Sequence, residues 1–389
     1  MSDAIERIEA WIVTVPRDTP YLGALGAGEA ANARGYFVRR GNRTVYPVMD
    51  RSILVRLTTR DGAVGWGETY GLIAPRATTE ILFDLFAPFA IGRDPACPAA
   101  LHDDLRDLLR VRNACSGFTG DALAALDIAV WDIAARLQGR GLADALGGAR
   151  RDRIPGYVSG LPRPSLAERV EFAAAWAERG FDTFKFAAAV SEQGEVAELA
   201  ALRARLGPAA RIGIDLHWRY TPEAALALID RLAPHDPFFV EAPVASDDIP
   251  GLVRVARESP VPVAAGEEWY AAPEAAARLP GLAIVQPEMG HAGPTEFMRI
   301  GALAEAHGAR VMPHATVGLG VFLAASLHAA AALPSADLHE YQHSVFDRNV
   351  RFLRGGLRLE GTAYALPEGP GIGVVPGDAV WPYAERVAG

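Results

Sequence analysis

From about residue 154 onward, short apolar runs alternate with stretches rich in Ala, Leu and Glu. The runs are IPGYVSG, TFKFAA, RIGIDLHW, FFVEAP, VPVAAGEE, AIVQPEM, RVMPHAT and DLHEYQ. A continuous apolar run bounded by polar residues is what a strand buried on both faces requires, and the intervening stretches suit helices. With Tyr157, Lys185, Asp215, Glu241, Glu267, Glu288, His314 and Glu340 as markers, the runs recur at intervals of 28, 30, 26, 26, 21, 26 and 26 residues. Eight short strands separated by helices predict an α/β fold with a parallel sheet closed on itself into a barrel. An open doubly wound sheet also alternates strand and helix, but no glycine-rich phosphate turn follows the first run.

The first part of the chain has another texture. Arg51 to Thr58 is β-rich, Asp61-Gly62 marks a turn, and Val64 to Glu68 (VGWGE) resumes an extended pattern. Asp121 to Leu137 is helical, with Leu123, Leu126, Val130, Ile133 and Leu137 at spacings of three and four. Between Pro20 and Pro47, a stretch holding Tyr21, Tyr36, Arg39 and Arg40 has no periodicity and reads as a long loop, of the sort that serves as a lid.

Composition narrows the partners. A formal net charge of −9 speaks against a nucleic-acid or anionic-membrane surface, and means that an anionic substrate needs local positive groups or a metal. Cys97 and Cys115 are too few for a disulfide framework and lack metal-site spacing. The N-terminal MSDAIERIEAW has no signal-peptide pattern, and the apolar run Phe322 to Leu333 is too short to span a bilayer. A cytoplasmic protein is the expectation.

Every marker from Lys185 onward is titratable and stands at the C-terminal end of a run, where the loops of a barrel converge on one mouth. Asp215, Glu241 and Glu267 end three successive runs at an identical interval of 26. Adjacent parallel strands lie about 4.8 Å apart, so three carboxylates are expected to converge there. They cannot all stay ionised without a cation, and a hard divalent ion such as Mg²⁺ resolves the conflict. Glu268 breaks the interval that Glu267 keeps.

These features resemble the enolase superfamily, within it the mandelate racemase/muconate lactonizing enzyme branch. The resemblance rests on VGWGE, ALDIAVWDIA, the strand-end acids and the PGIGV segment, and covers nearly the whole chain. It implies a (β/α)7β TIM-like barrel with an α+β N-terminal capping domain. The expected division is a cap over residues 1–125, a barrel over 126–355, and a C-terminal segment over 356–389 that returns to the cap. It also implies Mg²⁺ on Asp215, Glu241 and Glu267, a small carboxylic-acid substrate whose α-proton is removed, and a homo-oligomer.

The candidate bases then follow. His217 lies two residues after Asp215, and a period of two would turn both side chains to the same face. His314 and Glu288 occupy the places of the family's His–Asp dyad, with Glu one methylene longer. Such a carboxylate fixes the imidazole tautomer and raises its basicity. Members that racemise or cycloisomerise carry Lys-x-Lys on the second strand; here Lys185 is followed by Phe186-Ala187. Lys185 would bind substrate carboxylate or pair with a metal-ligating acid. The Asp215–His217 pattern is similar to galactonate dehydratase and related sugar-acid dehydratases, in which the histidine takes the α-proton and the dyad histidine protonates the leaving 3-hydroxyl. QPEMGHAG and HEYQHS also resemble the anhydrogalactonate cycloisomerase kind, which opens an internal ether, and an epimerase or a non-catalytic sugar-acid binder are further alternatives. Glu340, Tyr21, Arg39, Trp218 and Arg219 are candidates for substrate contact, while His291, His339 and His343 read as loop histidines near the mouth.

Overall fold

The structure, a computed structural model, describes residues 3–191, 193–315 and 317–387. The chain opens with β1 (Ile5–Val15), a hairpin of β2 (Tyr36–Arg39) and β3 (Thr44–Pro47), then β4 (Asp50–Thr59) and β5 (Val64–Tyr70). β1, β4 and β5 form an antiparallel sheet, joined on the open side of β1 by the C-terminal strand Ala384–Val387. Helix Phe118–Leu137 packs across this sheet and is buried on almost every side. It comes close because β5 carries Gly65 and Gly67, where a Cβ would overlap the carbonyls of Ala129 and Ala125. That close approach is the physical content of VGWGE. The helix runs unbroken across residues 125 and 126.

The barrel strands are β6 (Arg153–Ser159), β7 (Thr183–Ala187), β8 (Arg211–Asp215), β9 (Phe239–Glu241), β10 (Val263–Ala265), β11 (Ile284–Val285), β12 (Arg310–Val311) and β13 (His339–Tyr341). Neighbours pair in parallel from β6 through to β12, and β13 pairs with β6, Glu340 opposite Tyr157. Val311 N donates to Ser335 O (3.0 Å) and Glu340 N to Pro313 O (3.2 Å), which closes the ring between β12 and β13. Tyr157, Phe239, Ala264, Ile284, Met312 and Leu338 fill the interior as a packed layer. All eight apolar runs read from the sequence become these strands.

Cap and barrel are joined by buried acids that accept backbone amides. Glu68, in β5, takes the N–H groups of Gly320 (3.2 Å), Val321 (2.7 Å) and Phe322 (3.1 Å), so a cap carboxylate closes the N-terminus of barrel helix Val321–Ala332. Asp127 accepts Thr295 N (2.8 Å) from helix Met289–Ala306. Asp132 accepts Trp66 N (2.9 Å) from β5 and Ile372 N (2.8 Å) from the C-terminal segment.

The stretch between Pro20 and Pro47 departs from the expected irregular loop. The β2–β3 hairpin occupies its second half, and Arg39 organises the first: its guanidinium donates to the carbonyls of Tyr21 (3.3 Å), Gly23 (2.9 Å) and Ala24 (3.0 Å) and to Glu29 (2.8 Å). Tyr21, Leu22, Thr44, Val45 and Tyr46 from this unit line the cavity at the barrel mouth. Among the described residues, no helix is long and apolar enough to cross a membrane.

Candidate active site

A cavity of about 490 Å³ lies at the C-terminal ends of the barrel strands, covered by the cap. Register places the first acids: Asp215 and Glu241 are direct partners on β8 and β9, and Glu241 is opposite Ala264, three residues before Glu267. Lys185 Nζ, buried at the end of β7, lies 2.8 and 3.0 Å from the oxygens of Glu241 and 3.2 Å from Glu340 on β13. Gln286 donates to Glu241 as well (2.6 Å). Burial pulls the Lys185 pKa down, but the charges of Glu241 and Glu340 outweigh it and hold it well above the usual value. The Lys185 ammonium is thus ion-paired with two carboxylates.

Glu267 is pushed well up by burial and then by the charges of Glu241 and Asp215, against the pull of His314. The three acids therefore do face one another. They do not stand at ligand distance: the one group of three ligating atoms within 4.8 Å of one another, among the described residues, is His102, Asp103 and Glu296 on the flank of the barrel. Arg299 already neutralises that outer group, 2.7 Å from Asp103 and 2.9 Å from Glu296. At the mouth, Glu241 is turned onto Lys185 and Asp215 onto His217, the arrangement that like charges adopt when side-chain cations are within reach. Three hard oxygen donors on adjacent strand ends, more anionic than the local cations can neutralise, still fit a divalent ion such as Mg²⁺.

His217 reaches the cavity by a route the strand pattern does not give. β8 ends at Asp215, and His217 and Trp218 both have left-handed backbone, with φ of 51° and 54°. Asp215 Oδ1 accepts the His217 amide (2.8 Å), and Trp218 N donates to Ala242 O (2.7 Å), so a tight turn substitutes for the extended strand. His217 Nε2 lies 2.9 Å from Asp215 Oδ2, while its Nδ1 is buried without a partner. Asp215 is held low because His217 and Lys185 overcome its burial.

On the far side of the mouth, His314 follows β12 and Glu288 follows β11, joined by a bridge. His314 Nδ1 lies 2.8 Å from Glu288 Oε2, so the longer acid does form the dyad. Tyr70 OH donates to the same oxygen (2.8 Å) and Gly290 N to the other (2.9 Å), which fixes the carboxylate. Nε2 faces Glu267 (3.3 Å) and Glu340 (3.7 Å). Burial opposes charging His314, but Glu267, Glu340 and Glu288 raise its pKa to about 10. Glu340 is held low, burial being overcome by Lys185, His314 and a hydrogen bond from Ser159, and it accepts Ala315 N (3.0 Å).

Of the remaining candidates, Tyr21 and Trp218 line the cavity. Arg39 does not: its guanidinium is spent inside the lid, so its role is to shape that lid. Arg219 turns outward to Glu195 (3.6 Å). His339 lies within β13, and His343 is bonded to Gly160 O (3.0 Å). His291 departs from the expected loop histidine. It lines the cavity with Nδ1 2.6 Å from Asp121 of the cap helix, an approach that 170 residues of separation conceal. Tyr70, Gln286 and Gln342 also carry no sequence signal of their own.

This assembly defines a class. Residues 168–380 match the family described as enolase C-terminal domain-like, and residues 44–147 match the mandelate racemase / muconate lactonizing enzyme N-terminal domain. The chain belongs to the mandelate racemase/muconate lactonizing enzyme branch of the enolase superfamily. It is similar to the D-galactarolactone cycloisomerase of Agrobacterium fabrum, 32% identical over 343 residues that cover 83% of this chain and 88% of the relative. The D-galactonate dehydratase of Ralstonia nicotianae is likewise 32% identical, over 85% of this chain and 90% of the relative. A solved enolase-superfamily member from Agrobacterium tumefaciens is 53% identical over the full length of both chains, with a TM-score of 0.96. Magnesium is present in a solved Paracoccus denitrificans relative, 28% identical over 99% of each chain, TM-score 0.81. The protein is thus an enzyme of the lyase or isomerase kind.

Proposed function

We propose that this enzyme is a Mg²⁺-dependent acid-sugar dehydratase, in which His217 removes the proton α to a carboxylate and His314 protonates the oxygen leaving the β-carbon. The observation that carries this reading is the disposition of the two imidazoles. They follow β8 and β12, four strands apart in a ring of eight, and so approach the carboxylate cluster from opposite sides.

Asp215, Glu241 and Glu267 would hold the ion, which when bound supplies the positive charge that stabilises the enediolate formed on deprotonation. The residues of the chain do the rest. His217, whose side chain lines the cavity, accepts the C2 proton. His314, kept charged by the acids around it and oriented by Glu288, delivers its proton to the C3 oxygen as the C3–O bond breaks. When that oxygen is a hydroxyl, water leaves and the enol tautomerises to a 2-keto-3-deoxy acid. The lid and the cap exclude bulk water from the charged intermediate.

A second reading uses the same proton transfers with a ring ether as the leaving group, so that a cyclic anhydro-sugar acid or lactone opens. It is favoured by the aromatic walls of Tyr21, Tyr46, Trp218 and Tyr270, which suit the C–H faces of a ring. Incubation with aldonates, sugar-acid lactones and anhydro-aldonates, followed by mass spectrometry and a 2-keto-acid assay, separates the two. Dehydration gives a keto acid lighter by one water, whereas ring opening gives an isomer of unchanged mass. A folded, Mg²⁺-loaded enzyme that yields neither product from any of them would refute both.

A further inference from the structure

The lid hairpin is seated on the barrel by its turn. At Gly41, between β2 and β3, a Cβ would overlap the carbonyl of Ala189, two residues beyond the end of β7. Ala187, the last residue of β7, is the register partner of Asp215 on β8. The turn thus meets the barrel close to the first of the strand-end acids. Tyr46, on β3, lines the cavity, with its ring centroid 6.0 Å from that of Tyr21 and 6.0 Å from that of the buried Phe37.

Hydrogen bonds within the turn fix which way the Tyr46 hydroxyl works. Thr44 N donates to Asn42 Oδ1 (3.1 Å), so the amide nitrogen of Asn42 is the atom that faces Tyr46, and it donates to the phenol oxygen (2.8 Å). A phenol that accepts in this way keeps its own hydrogen for a second partner, and among the described residues it donates to none. Burial raises the Tyr46 pKa most, the Asn42 donor pulls it back, and the charges of Asp215 and Glu267 raise it again. The hydroxyl therefore stays protonated, within the field of two of the three acids.

We propose that Tyr46 is a further catalytic residue, whose O–H donates to the substrate carboxylate as the α-proton leaves. The inference rests on the α-proton abstraction of the reading above and adds a donor to it. When the C2–H bond breaks, its proton passes to His217, and its electron pair moves into the C1–C2 bond and onto the carboxylate oxygens. Tyr46 keeps its proton throughout and stabilises that added charge through a hydrogen bond that strengthens as the charge builds. Asn42 is a positioning residue acting through Tyr46.

The test follows kcat, KM and exchange of the C2 proton in D₂O for the Mg²⁺-loaded enzyme with aldonates, sugar-acid lactones and anhydro-aldonates. Tyr46→Phe keeps the ring and removes the donor. It should lower kcat and exchange together by about ten- to a hundred-fold, with KM little changed. Asn42→Asp still accepts from Thr44 N but turns the donor into an acceptor, which captures the Tyr46 hydrogen. It should cost about as much as Tyr46→Phe and add nothing in the Tyr46→Phe background, whereas a residue that merely shapes the turn would cost the same in both backgrounds. Unchanged kcat and exchange in Tyr46→Phe, a loss confined to KM, or an Asn42→Asp loss that persists in full without the phenol would overturn the proposal and leave the roles of His217 and His314 standing. Neither exchange nor product from the parent enzyme with any of these acids would instead count against the underlying reading.

Discussion

Carboxylates are buried in two regions of this protein, and the regions satisfy them by opposite means. Along the seam between cap and barrel, Glu68, Asp127 and Asp132 accept chiefly from backbone amides of segments far away in sequence. At the barrel mouth, Asp215, Glu241, Glu267 and Glu340 face Lys185, His217, His314 and one another. A backbone N–H is a fixed dipole that neither titrates nor moves, so the seam acids hold shape. The mouth acids are balanced by groups that can release a proton or reorient, which is what the proposed chemistry requires. Burial alone therefore does not distinguish a structural acid from a reactive one; the identity of the donor does.

The widest separation between the two regions should come from removing divalent cations. Chelation is expected to abolish turnover and added Mg²⁺ to restore it, with the far-ultraviolet circular dichroism unchanged; full activity in chelator would remove the metal from the account. Next, Glu267→Gln should lower kcat by about a thousand-fold or more while leaving the metal-free melting temperature equal or higher, because it relieves repulsion from Asp215 and Glu241. Glu68→Ala should do the reverse. It leaves the amides of Gly320, Val321 and Phe322 without their acceptor and should cost about 2–4 kcal/mol of stability, with kcat per folded molecule largely retained. Denaturant unfolding and active-site titration of the two variants would show whether the effects cross over in this way.

The smallest effect is a pH dependence within the seam. Burial, opposed only in part by His102 and the Thr295 hydrogen bonds, raises the Asp127 carboxyl to about 6. Because the folded pKa exceeds the unfolded one, ionised Asp127 carries a penalty that is absent below about pH 4 and complete above about pH 6. The stability of Asp127→Asn relative to the parent should accordingly rise between those two limits. A difference that stays flat or falls would show that the seam acid is ionised without cost.

The barrel and its acids were readable from the chain because the signal is local. A strand buried on both faces must be continuously apolar, and Asp215, Glu241 and Glu267 each end one such run. What escaped was every feature made by distant partners. Arg39 has the composition of a substrate-binding residue, yet its partners are carbonyls 15 to 18 positions away, within the lid. Asp127 reaches its amide across 168 residues and His291 reaches Asp121 across 170. The strand alternation stops at Asp215, and the turn with positive φ that carries His217 to the cavity leaves no periodic trace.

Exchange of the substrate's C2 proton in D₂O tests most directly whether His217 and His314 divide the labour as base and acid. In the Mg²⁺-loaded enzyme, His217→Asn should stop that exchange, followed by proton NMR, whereas His314→Asn should permit it while product formation falls by about 10²–10⁴-fold. Exchange that survives in His217→Asn and disappears in Lys185→Met would place the base on β7 and contradict the account.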